Sequence, residues 1–287
     1  MNWLEWSNPV ARWWFGLVAV SVINVAAWVL VRASVRRSLA NAAAEVQRRA
    51  RTVGWLSGVY VFGCAFRSVL PRADVQRICL FDTWFSNVFV GRSVATVAEL
   101  SFVIQGAIVL HFVSTQLGSG FGRRVAVAIV AMIACAECFS WYAVISTNYL
   151  GNSVEESLWT LSYALVGVAL VVLSSRTSGR LTWLVRGAAL GCLAYVCFML
   201  TTDVPMYLGR LLDDTQQTRT YLGLSDGVHD LLTRWVVTHD LDEWRTEIPW
   251  MSLYFSFAVW LSIGLCAAPL SVEAIARLQG APSASKG

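Results

Sequence analysis

GRSVATVAELSFVIQ, residues 91–105, opens a hydrophobic segment that runs on to Thr115. Glu99 lies within it, and no polar residue stands nearer in sequence than Thr96 and Ser101. A carboxylate inside a spanning helix costs about 2.5–3.5 kcal/mol on insertion scales, so a segment that keeps one needs something to offset it. Arg92 and Thr96 precede Glu99 by seven and three residues, spacings that put all three on one helical face. That face is predicted to be the polar lining of a membrane bundle.

The rest of the chain agrees with a membrane reading. Of 287 residues, 56% are hydrophobic and only 14% charged, with a mean hydropathy of +0.57. A soluble domain usually carries about 25% charged residues. The apolar residues fall into long blocks, which predict an all-α bundle of seven transmembrane helices at 10–31, 53–70, 94–115, 125–145, 158–174, 181–204 and 248–270. Trp6, Trp13 and Trp14 crowd the first block where an aromatic belt is expected. Residues 1–275 form one membrane domain on this reading, and 276–287 a disordered tail. No cleavable signal peptide is expected, because the N-terminus lacks a basic region and the first block is too long.

Charge is sorted by loop. Arg32, Arg36, Arg37, Arg48, Arg49 and Arg51 follow the first block, Arg123 and Arg124 precede the fourth, and Arg176, Arg180 and Arg186 lie around the fifth turn. Acids concentrate in the alternate loops. Basic loops stay cytoplasmic, so the N-terminus is predicted outside and the C-terminus inside. An integral protein of the plasma (cytoplasmic) membrane is expected. Within the long outer region 205–247, the apolar spacing across Ser225–His239 predicts an amphipathic helix with Leu231, Leu232 and Trp235 on its apolar side.

At 1.5 Å per residue, Glu99 lies roughly 8 Å, and Glu137 roughly 12 Å, below the outer surface. Arg67 and Asp203 lie within about one turn of it. Glu155 and Glu156 stand at the start of the fifth helix, where its dipole favours carboxylates. Helical spacing groups Glu137, Ser140 and Trp141, then Glu156, Trp159 and Tyr163, then Trp250, Tyr254 and Phe257. The predicted ligand-binding set is therefore Arg67, Arg92, Glu99, Glu137, Trp141, Glu156, Trp159, Tyr163, Asp203 and Tyr254. Glu99 is expected to pair with Arg67 or Arg92. The competing reading is that these charges only hold helices together.

Several functions are excluded by residue type. The only lysine is Lys286 in the tail, so the rhodopsin-type Schiff base in a seventh helix is impossible. Seven-span zinc hydrolases need several histidines around one metal, whereas His111 lies far from His229 and His239. His111 is expected to be a hydrogen-bonded core residue. GLSDG at 223–227 matches the nucleophile-elbow pattern, but a loop of this size cannot supply its strand–turn–helix setting. Cys135 and Cys138 are a weak soft-metal signal, and the seven cysteines do not form a disulfide framework. No metal site, cofactor or nucleic-acid partner is predicted.

The expected function is binding of a small polar or cationic ligand or ion in an outward-facing acidic and aromatic cavity, as a transporter or receptor. Carboxylates with Trp and Tyr suit a cation. Alternatives are an intramembrane enzyme acting on a lipid, with Glu99 or Glu137 as acid or base, and a structural subunit. Beyond the bilayer itself, a homo-oligomer is the expected partner, through Gly54/Gly58 or Gly187/Gly191.

Overall fold

The computed structural model describes residues 4–270. The tail expected to be disordered lies outside them. The chain is helical almost throughout: α1 (Pro9–Ser38), α2 (Ala44–Val69), α3 (Val88–Gln116), α4 (Gly120–Ser146), α5 (Tyr149–Ser174), α6 (Gly179–Phe198) and α7 (Val204–Gln216). α8 (Leu224–Thr233), α9 (Leu241–Trp244), α10 (Glu247–Leu253) and α11 (Val259–Leu265) complete it.

Among the described residues, six helical stretches are long and apolar enough to cross a membrane: Pro9–Ser38, Val88–Gln116, Gly120–Ser146, Tyr149–Ser174, Leu181–Gln216 and Glu247–Leu270. The protein is a multi-pass helical membrane protein. The remaining expected span, 53–70, falls in α2, whose composition is diluted by Arg67, Ser57 and three glycines. α2 nonetheless packs between α1 and α3 and also touches α11.

Packing follows chain order from α1 to α6, and the last helical stretch closes against α1, α2 and α3. One apolar core joins Tyr60, Val61, Phe102, Met251 and Phe255 across α2, α3 and the last stretch. A second joins Val103, Ile133, Ala169 and Leu173 across α3, α4 and α5. Large apolar residues such as Leu30, Val171 and Leu190 point outward, as a lipid-facing surface requires.

The first small-residue motif is used inside the chain. Trp28 of α1 lies over α2 and donates its indole N–H to the Gly54 carbonyl at 3.1 Å. A Cβ on Gly58 would come within 2.6 Å of that ring, so this face is filled. A Cβ added at Gly187 or Gly191 would meet nothing within 4 Å among the described residues, so this face is open.

Three expectations from the sequence change. α6 does not end near 204 but continues through a π-helical turn, Met199–Asp203, into α7. The expected amphipathic helix over Ser225–His239 ends at Thr233: Leu231 is buried, but Leu232 is 44% exposed. Beyond Thr233 the chain extends, and Val236–Val237 (β3) pairs in parallel with Ile78–Cys79 (β2), itself antiparallel to Arg72–Ala73 (β1). Trp235 hydrogen-bonds Asp82 there at 2.9 Å, which explains why it leaves the helical pattern. Finally, His111 is exposed rather than a core residue.

Candidate functional site

The site begins with the start of α3. Asn87 caps it by accepting the Phe89 N–H at 2.7 Å, and its amide also donates to the Leu232 carbonyl. α3 therefore starts six residues before the apolar run, and Arg92 belongs to the helix rather than to the loop. From that position its guanidinium reaches along the helix to Glu99 (2.9 Å) and across to Glu137 of α4 (2.8 Å). It also lies 3.7 Å from Glu155 of α5. All four residues are buried.

Neighbours orient the carboxylates. Thr96, one turn after Arg92, donates to Glu137 Oε2 at 2.6 Å and accepts the Trp141 indole N–H at 3.1 Å. Tyr254 donates to Glu99 Oε1 at 2.9 Å from the π-helical turn Tyr254–Ala258. Asn152 donates to Glu155 Oε2 at 3.3 Å. α5 approaches α4 closely because Gly151 has no side chain: a Cβ there would stand 2.5 Å from the Phe139 carbonyl oxygen. Thr147, in the left-handed region at φ 59°, makes the tight reversal between the two helices.

One carboxylate oxygen from each of Glu99, Glu137 and Glu155 lies within 4.8 Å of the other two. Opposed oxygens around a hard cation such as calcium are about 4.6–5.2 Å apart, from Ca–O lengths of about 2.3–2.6 Å. Among the described residues, two polar atoms of this cluster are buried without a hydrogen-bond partner, Glu137 Oε1 and Asn152 Oδ1. Ser140 and Asn152 both neighbour Glu155. The triad could bind an ion. Three carboxylates thus face one guanidinium in a buried setting.

Of the expected set, Arg92, Glu99, Glu137, Trp141 and Tyr254 meet here. Arg67 does not reach Glu99. It turns to Asp74 at 3.7 Å, beside Arg72, whose Nε stands 2.7 Å from the same carboxyl group. Burial pushes the Asp74 carboxyl up, but Arg67, Arg72 and Arg92 outweigh it and hold it below the ordinary aspartate range. Glu156 lies against Asp203, itself in the other π-helical turn. Trp159 and Tyr163 stack on one another, and Tyr163 packs on Tyr195, so this face of α5 is mostly aromatic packing. Phe257 is 64% exposed, because the π-helical turn rotates it off the face that holds Tyr254.

Glu99, Glu137 and Glu155 are 7%, 3% and 4% exposed, so neither an open funnel nor a lateral gap reaches them. Glu155 is the main site residue outside the expected set. The sequence does carry a signal for it: Asn152, Glu155, Trp159 and Ser162 repeat at three- and four-residue spacing, and all are buried. Asp74 carries no comparable signal, because it lies in a loop without periodicity. Comparison with protein-family models, with curated proteins and with solved structures gives no match.

Proposed function

We propose that this chain is a cation-binding membrane protein of the transporter type, and that Glu99, Glu137 and Glu155 hold a small hard cation. The observation that carries this reading is the clustering of three buried carboxylates with unpartnered oxygens beside them. Carboxylate, amide-carbonyl and hydroxyl oxygens are the donors that hard cations take. Arg92 acts as a tethered counter-charge on the same carboxylates. An arriving cation competes with its guanidinium for Glu137, and Thr96 and Trp141 keep that side chain in place during the exchange. The π-helical turn at Tyr254 supports this role, since such turns concentrate at functional sites.

The proposal includes the topology. α2 counts as a seventh span, the N-terminus is outside, and the carboxylates sit in the outer half of one membrane domain spanning 1–275. Glu156 and Asp203 belong to the route by which the cation reaches the triad. The open Gly187/Gly191 face is the surface for a second copy.

The test is calorimetric titration of the purified full chain with Ca2+, Mn2+ and Na+. Saturable binding of one ion per chain is expected, lost in Glu137→Gln and Glu155→Gln while far-UV circular dichroism stays unchanged. Absence of saturable binding for all three ions, or binding indifferent to both substitutions, overturns the reading.

A further inference from the structure

A groove of 570 Å³ lies between α3 and α4, running from Ile104 and Ala134, about one to two turns from Glu99 and Glu137, to Arg49 and His111 at the end of the bundle away from the carboxylates. This is within the range of about 300–1,000 Å³ typical of small-molecule sites. Its walls are apolar, and Ala107, Ala126 and Ala131 leave it hollow where larger side chains would close it. Two polar side chains stand at it, Arg49 from α2 and His111 from α3. Arg49 lies over the Phe112 ring at 4.0 Å and has Glu45 at 3.1 Å. The His111 ring makes no hydrogen bond or ion pair among the described residues, although the residue is exposed on a spanning helix. It stands five residues before the end of α3, about 7.5 Å along the axis, at the depth of a headgroup rather than of the bilayer centre.

The surroundings state what fits. Arg48, Arg51, Arg123 and Arg124 are exposed at this end, and Glu45 is the only acid in residues 32–51 and 116–124. A positive edge above an apolar slot matches an amphiphile with an anionic head. A second copy of the chain would bring the same arginines against these, which disfavours a dimer at this face.

We propose that the α3–α4 groove binds one anionic glycerophospholipid, with an acyl chain along Ala107 and Ala131 and the phosphate between Arg49 and His111. The site is separate from the carboxylate cluster and does not depend on what that cluster holds.

Native mass spectrometry of the full chain tests it, with phosphatidylglycerol and phosphatidylcholine of identical chains as probes. Phosphatidylglycerol is expected to be retained in preference. Arg49→Gln should weaken that retention about fivefold, the effect of one positive charge near the membrane surface, and Arg49→Lys should preserve it. Ala131→Phe, which fills the slot, should lose both lipids, and inorganic phosphate should displace neither. His111→Ala gives a second reading should Arg49→Gln fail to fold once its Glu45 contact is gone. Equal retention of the two lipids overturns the proposal. So does displacement by phosphate alone, or retention unchanged in Arg49→Gln or His111→Ala. A wild-type dimer that Ala131→Phe converts to monomer also overturns it, by assigning the groove to a second copy.

Discussion

Arg92 and Glu137 meet at 2.8 Å across the α3–α4 interface, through the same Nη2 that stands 2.9 Å from Glu99. One nitrogen therefore ties two carboxylates on two helices. Removing one partner of a buried pair typically costs about 3–5 kcal/mol, because the other charge is left uncompensated. Arg92→Met should destabilise the protein by that order, more than Glu137→Gln, which keeps the Thr96 hydrogen bond available. Unfolding in detergent by denaturant compares them. Equal or reversed losses would mean that Arg92 is not the hub of the cluster.

Asp74 gives a pH dependence of definite sign. Its pKa is lower in the folded protein than in an unfolded chain, where an aspartate titrates near about 3.9. Its contribution to stability is therefore complete above that value and is lost as pH falls toward its depressed folded value. Asp74→Asn should be less stable than the parent at neutral pH, and the gap should narrow on acidification below about pH 4. Thermal unfolding of both proteins from pH 7 to pH 3 measures the gap. A gap independent of pH would dissociate Asp74 from Arg67 and Arg72.

Gly151 sets the α4–α5 distance. Overpacking a closed interface costs about 1–3 kcal/mol and shifts backbone. Gly151→Val, facing the Phe139 carbonyl and Ala143, should destabilise the protein and move Glu155 away from Arg92. Gly187→Val, with open space around it, should be tolerated in the monomer. The pair of melting temperatures decides, and equal tolerance would place the close approach elsewhere.

Much of this arrangement is legible in the amino-acid sequence. Hydropathy locates the apolar segments, because burial in lipid acts on long runs and is insensitive to a few residues at each end. Helical spacing puts Arg92 on the face of Glu99 but leaves Arg67 open as its partner, and Arg67 in fact turns to Asp74. What the sequence does not reveal has specific causes. Asn87 starts α3 early by a side-chain cap, which hydropathy does not register. The π-helical turns at Met199–Asp203 and Tyr254–Ala258 break the 3.6-residue phase, so Phe257 leaves the face that regular spacing gives it. Trp235 fits a helical apolar pattern, yet a three-strand pairing and the Asp82 hydrogen bond draw it into extended chain. The Trp235 contacts reach partners more than 150 residues away, which no local pattern encodes.

The orientation proposed from arginine distribution is directly measurable. In a cysteine-free background, single cysteines at Arg36 and Arg123 should resist an impermeant thiol reagent added outside intact cells. One at Asp213 should react, and all three positions are exposed. Labelling at Arg36 with protection at Asp213 would invert the bundle and put the carboxylates in the inner half.

Glu155 and Glu156 are adjacent and chemically identical, so exchanging their roles isolates position from composition. Successive residues on a helix point about 100° apart, the rotation of a 3.6-residue turn. Glu155 faces Arg92 at 3.7 Å, whereas Glu156 faces Asp203. Glu155→Gln removes a charge that Arg92 partly balances and an oxygen donor of the proposed cation site. It should abolish cation binding while Glu156→Gln weakens it only modestly or slows its onset. Glu156→Gln leaves the triad whole and leaves Asp203 beside a neutral neighbour, so it should change access rather than affinity. Stopped-flow mixing with Mn2+, followed by equilibrium titration, separates rate from affinity for each variant. If Glu156→Gln abolishes equilibrium binding and Glu155→Gln spares it, the cation is held at the Glu156–Asp203 pair, and the three-carboxylate cluster around Arg92 is a structural tie between helices.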